Sequence, residues 1–249
     1  MFSSLDPQTA LRWAGDVGEH LRQEAIRNSG GAAWIGAVPL RDIERAHLSV
    51  IGYDLYSGSA GVAVFLAALA ALTSDGAIEA LAREALAPIR REVSNPSHAK
   101  VLARTIGIGG AVGVGSLVYA LLLVGRFLKD NSMLDDAQRA AGLIGDREIT
   151  EDRFNDVIGG SAGAILALLS LYDRTCDSSL LRTAIRCGEH LMKSMNFHPI
   201  LSRRADSFSA RPLTGIAHGA AGKALSLHRL FKVTNDETIQ VRCIRGCQI

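Results

Sequence analysis

Chemistry in this chain rests on a small set of side chains, and their surroundings limit what each can do. His218 stands in Gly215-Ile216-Ala217-His218-Gly219. Imidazole is the side chain whose ordinary pKa lies nearest neutrality, so it can hold or release a proton during a reaction; a histidine beside glycine at a helix start can equally close its own turn. Asp54 and Asp156 hold the same place in two similar segments, Asp54-Leu55-Tyr56-Ser57-Gly58-Ser59-Ala60-Gly61 and Asp156-Val157-Ile158-Gly159-Gly160-Ser161-Ala162-Gly163. Capping of the following helix explains both, whereas two carboxylates across one cavity would suit glycoside processing. Arg211 precedes Pro212, where it can contact a substrate or simply lie in solvent. Of the four cysteines, Cys176, Cys187, Cys243 and Cys247, the last two are spaced to face one way on a helix, but no histidine follows them. A zinc site wants three or four well-placed protein ligands, so ordinary thiols and no metal are expected at that pair.

The elements that must position these residues repeat along the chain. A glycine-containing turn leads into an apolar segment at Gly58–Gly61 before Val62–Leu72, and again at Gly113–Ser116 before Leu117–Leu123. The same pattern returns at Gly160–Gly163 before Ala164–Tyr172 and at Gly219–Gly222 before Lys223–Phe231. Between them, Ala77–Val93 and Ser179–Met195 carry Leu and Ile on one side and Arg and Glu on the other. A helix apolar all round belongs inside and one with a polar face belongs outside. The alternation therefore predicts an all-α fold with an inner and an outer ring of helices, an α/α toroid; an open solenoid of helix pairs has the same periodicity. Each inner helix begins just after its turn, which puts the inner N-termini at one end, where unpaired N–H groups and dipole ends suit a developing anion. Gly58, Gly61, Gly160 and Gly163 are expected to serve tight turns and close helix packing.

Composition agrees with a helical core. Hydrophobic residues make up 48% of 249 and aromatics only 5%, with Ala and Leu in excess, a balance that favours helix over sheet. Acids and bases are interspersed around a net charge of +2, so no basic stripe points to nucleic acid. The start, Met1 to Arg12, is polar rather than a secretion signal, and reduced thiols in a cytoplasmic protein are the expectation. Leu55–Ser74 and Thr105–Gly125 contain no charged residue, but their continuous apolar parts fall short of the roughly 20 residues a membrane span needs. They read as core helices, and no transmembrane segment is expected.

Five blocks in order carry a family resemblance: Ala32-Ala33-Trp34-Ile35-Gly36, Asp54–Ala63, Gly113–Leu121, Asp156–Leu168 and Arg211–Gly222. From about Leu11 to about Asp236 the chain resembles the lanthionine cyclases of the LanC-like family, most of all the C-terminal cyclase domain of class II (LanM-type) lanthipeptide synthetases. The resemblance implies addition of a cysteine thiol of a precursor peptide, leader plus core, to a dehydroalanine or dehydrobutyrine made by a separate dehydratase activity. It implies a zinc ion, held by two Cys and a His, that activates the thiol, and a general acid that protonates the enolate. Matched residue by residue, His218 corresponds to the family's catalytic His and Asp156 to its catalytic Asp. The family's metal ligands belong to a Trp-Cys-containing motif and a Cys-His-Gly motif; neither is found after Asp236, and no Trp follows Trp34. The expectation is therefore a fragment of the cyclase domain, 1–249, with an incomplete toroid, no dehydratase region ahead of it, no zinc of its own and impaired activity. The alternative is a peptide-binding remnant without chemistry, or one subunit of a split synthetase.

Overall fold

A computed structural model describes residues 6–39, 46–197 and 213–237; Arg211, Cys243 and Cys247 lie outside them. Among the described residues are ten α-helices and two short antiparallel hairpins. The fold class is all-α, as the composition required. No described helix is long and apolar enough to cross a membrane. The chain divides into two compact units, Met1–Arg91 with Ala120–Leu134, and Glu92–Tyr119 with Asp135–Ile249.

The first unit opens with α1 (Pro7–Glu24), where Pro7 sits at the first helical position and Asp6 accepts the Thr9 amide at 3.1 Å, a standard start. Two hairpins follow, β1 (Ile26–Asn28) with β2 (Gly31–Ala33) and β3 (Ile35–Pro39) with β4 (Ala46–Val50). Trp34, between the hairpins, is buried and donates its indole N–H to the Leu21 carbonyl at 2.8 Å, which fastens them to α1. The first apolar helix is α2 (Ser59–Thr73), and α3 (Gly76–Ser94) follows as an amphipathic one, burying Ile78, Leu81, Leu86 and Ile89. Its polar side carries Arg83, which pairs with Glu79 at 3.0 Å and with Asp130. The apolar run of α2 outlasts its burial, since Leu72 is 74% exposed.

The second unit holds α4 (Pro96–Ile106), the start of α5 (Val114–Phe127), most of α6 (Ser132–Ala141), α7 (Asp146–Glu151), α8 (Ser161–Thr175), α9 (Ser178–Phe197) and α10 (Ala220–Thr234). Nearly every residue of α8 from Ser161 to Leu171 is buried, and α9 and α10 pack against it. Full burial of Ile165, Leu168 and Leu171 makes each worth about 2–5 kcal/mol against truncation to Ala. The expectation of an all-round buried helix fails in part at α10, where Leu225, His228 and Arg229 are exposed and only the face of Ala224, Leu227 and Leu230 is covered. Its own charged residues explain the difference, because a helix carrying Arg229 and Lys232 keeps one side in water.

The ends of the apolar helices share a device. Ser74, Cys176 and Asn235 all take the left-handed conformation, and their amides close on the carbonyls of Ala70, Tyr172 and Phe231. An aspartate comes next each time. Asp75 and Asp177 then accept amides of the following helix, from Ala77 and Ser179, both at 2.8 Å.

Candidate functional site

Three lead-in turns of the second unit lie side by side. The amides of Gly110, Ala111 and Val112, ahead of α5, donate to the carbonyls of Val157 and Ile158, ahead of α8. The Val157 amide donates in turn to the Ala217 carbonyl, ahead of α10, at 3.1 Å. The N-termini of α5, α8 and α10 thus gather at one end of that unit. The third residue of α8 and of α10 is glycine for a steric reason: at Gly163 and Gly222 a Cβ would collide with the Val157 or Ile216 carbonyl of the helix's own turn. Gly61 meets the Leu55 carbonyl in the same way. The packing role expected for Gly61 and Gly163 has this atomic basis.

Asp156 and His218, 62 residues apart, are joined through His218 Nδ1 and Asp156 Oδ2 at 2.7 Å. Asp156 is buried, and its other oxygen accepts the Gly159 amide at 2.8 Å, so its carboxylate is held on both sides. A carboxylate only accepts hydrogen bonds, so Nδ1 carries the hydrogen and Nε2 is the nitrogen left to exchange a proton. The His218 side chain remains 42% exposed. A fixed, buried acceptor behind a half-open imidazole is an arrangement able to orient a general acid or base.

Asp152, four residues before Asp156, was not singled out from the sequence. Its Oδ1 accepts the amides of Phe154 and Asn155, and its Oδ2 accepts both the amide and the hydroxyl of Ser161, at 2.7 and 2.6 Å. His190 Nε2 donates to its carbonyl at 3.0 Å. The helix cap expected of Asp156 therefore belongs to Asp152, nine residues before the amide it receives. Neither Asp54 nor Asp156 caps its helix: each takes the amide three residues on, inside the turn, Asp54 from Ser57 at 2.7 Å. Short-range capping patterns carry no trace of a contact that crosses an entire turn.

Two further groups differ in kind. Burial pushes the Cys187 thiol, on α9, up to about 12, with the Asp152 charge adding to it, so it stays protonated and inert; Cys176 is exposed at the end of α8. Lys223, on the first turn of α10, is half-buried, and that burial lowers its pKa against the opposing pull of Asp156 and Asp152. Its position was visible as a charged residue at the head of an apolar segment. No cluster of three or more His, Cys, Asp or Glu able to hold a metal occurs among the described residues. Those residues do not fit a zinc site, and no step below runs through one.

The family model described as Lanthionine synthetase C-like protein matches residues 49–244. No curated protein matches the chain. The matched span takes in the lead-in turns of α2, α5, α8 and α10 together with the Asp156–His218 pair, and covers well over half of the sequence: the chain belongs to the lanthionine synthetase C-like family.

Proposed function

We propose that this chain acts in lanthipeptide biosynthesis as a cyclase module of the class II type, on a precursor peptide already dehydrated by a separate dehydratase activity. A cysteine thiolate of the peptide attacks the β-carbon of dehydroalanine or dehydrobutyrine; the C–S bond forms, and the π electrons pass into an enolate. His218, oriented by Asp156, delivers the proton from Nε2 to the α-carbon, closing the thioether ring. The observation that carries this reading is the 2.7 Å Asp156–His218 bond, formed directly beside the Val157–Ala217 backbone bond. Arg211 is assigned to substrate contact in the same reading.

The described residues supply the proton but not the activation of the thiol, whose ordinary pKa of about 8.5 leaves only a few per cent as thiolate at neutral pH. Ring closure that relies on the described residues alone is therefore slow, and metal analysis is expected to find less than one tightly held zinc per chain. Steps that need one imidazolium and one thiolate run fastest between the ordinary values of about 6.5 and 8.5. The test is ring closure of a dehydrated cysteine peptide near pH 7.5, read by mass spectrometry of thiol alkylation. The chain should exceed its His218→Ala variant by at least about 10²-fold, the low side of a general acid's usual contribution; equal rates would sink the assignment. The lack of a metal-binding cluster among the described residues favours one second reading, a peptide-binding module without chemistry, and peptide binding without any ring closure would support it.

A further inference from the structure

The hairpin of β3 and β4 has no part in the reaction as written. Its register sets Ile35 opposite Val50, Ala37 opposite Leu48 and Pro39 opposite Ala46, with Gly36 opposite Ser49 and Val38 opposite His47 in between. One step before the first of these pairs, the Ile51 amide donates to the Trp34 carbonyl at 3.0 Å. Bonded and open pairs alternate along an antiparallel ladder, so the remaining bonds across the hairpin join Gly36 to Ser49 and Val38 to His47. The N–H and C=O groups of Ala46, Leu48 and Val50 therefore point away from β3. Their side chains share one face with those of Ile35 and Ala37, and all five residues are exposed, Leu48 to 79%. Among the described residues no strand pairs with this outer edge of β4.

The two edges of the hairpin are not alike. Pro39 leaves the outer edge of β3 without one donor, a common guard of exposed edges. On β4 every outward donor is present, and Ala46, Leu48 and Val50 are uncharged. About Leu48 this edge is its own complement. Laid antiparallel on a second copy, Leu48 meets Leu48 and Ala46 meets Val50, so each outward N–H faces a C=O; His47 falls opposite Ser49 rather than opposite its twin. We propose that the outer edge of β4 docks a second copy of this chain, the two hairpins forming one four-stranded sheet across a twofold axis. Through β4 each copy can join only one other, so the assembly closes at two. The edge is short, which places the contact among the small, transient interfaces below about 1,200 Å².

The test is amide exchange of the full chain, read residue by residue at about 5 μM and about 500 μM, since mass action fills a weak dimer only at the higher concentration. The amides of Ala46, Leu48 and Val50 should exchange at least about tenfold more slowly at the higher concentration, while those of Ile35 and Ala37, outward on β3, stay unchanged. Sedimentation over the same range should show a dimer. Leu48→Pro removes an outward donor without deleting a bond to β3 and should leave the chain monomeric; Ala37→Pro, its counterpart on β3, should leave the dimer intact. Should the prolines unsettle the hairpin, Leu48→Lys sets like charges together at the twofold axis and should also give a monomer. A monomer at every concentration, or slowed exchange at Ile35 and Ala37, overturns the proposal. So does a dimer that survives Leu48→Pro but not Leu48→Lys, which would mean that the apolar faces stack and the edges stay apart.

Discussion

Asp54 and Asp156 begin the same pattern of turn and apolar helix, and each takes the amide three residues on. Their second oxygens part company. That of Asp54 meets the hydroxyl of its own Ser57, at 3.3 Å, whereas that of Asp156 meets His218 from another repeat. The serines that open the two helices differ as well. The Ser59 amide goes to the Gly52 carbonyl and its buried hydroxyl finds no partner among the described residues, while Ser161 gives both its amide and its hydroxyl to Asp152. One backbone design thus serves twice, and only the second copy is joined to a side chain from a neighbouring repeat.

The comparison breaks most visibly if the two aspartates prove equivalent in turnover. Asp156→Asn keeps an oxygen for the Gly159 amide but loses the charge behind His218; ring closure should fall about 10²-fold. Asp54→Asn should leave it within about twofold, and a matching loss would place both aspartates in one site. Next in size are the third-position glycines. At Gly163 a side chain meets the Val157 carbonyl and the Gly110 backbone, at Gly61 only Leu55. Denaturant melts should show Gly163→Val costing about 3 kcal/mol, the upper part of the usual overpacking range, and Gly61→Val costing less.

The cap contrast is smaller. Asp152→Ala removes the acceptor of the first α8 amide and should cost about 2 kcal/mol. Ser59→Ala should raise stability by about 1 kcal/mol, since it deletes an unpaired buried hydroxyl; a loss there would mean that the hydroxyl has a partner. The least effect is expected at the opposite ends of the two helices, where Ser74 and Cys176 adopt the same left-handed geometry. Glycine at either position should gain about 0.5 kcal/mol, and equal gains would confine the difference between the two regions to their lead-in turns.

Much of this was legible along the chain because it is periodic. The apolar runs beginning at Val62, Leu117 and Ala164 and the mixed faces of Ala77–Val93 and Ser179–Met195 map onto α2, α5, α8, α3 and α9. The first hairpin was not legible, because β1 and β2 are three residues each and too short for an alternation to emerge. Asp152 escaped because its acceptor role depends on how a nine-residue segment folds back. The left-handed helix ends, each followed by Asp75, Asp177 or Asp236, did leave a signal in the order of residues, and it went unread. Lys223 was read as one more member of an apolar segment, since its partial burial depends on neighbours that arrive from far away in sequence.

The Val157–Ala217 bond joins the residue after Asp156 to the residue before His218. Whatever swings α10 away from α8 releases that amide and separates the imidazole from its carboxylate in one event. Exchange of the Val157 amide with deuterium therefore keeps time for the pair: its protection counts how often, and for how long, a molecule stands with His218 parted from Asp156. A change at the far end of α10 that quickens this clock would part His218 from Asp156 more often without touching either residue.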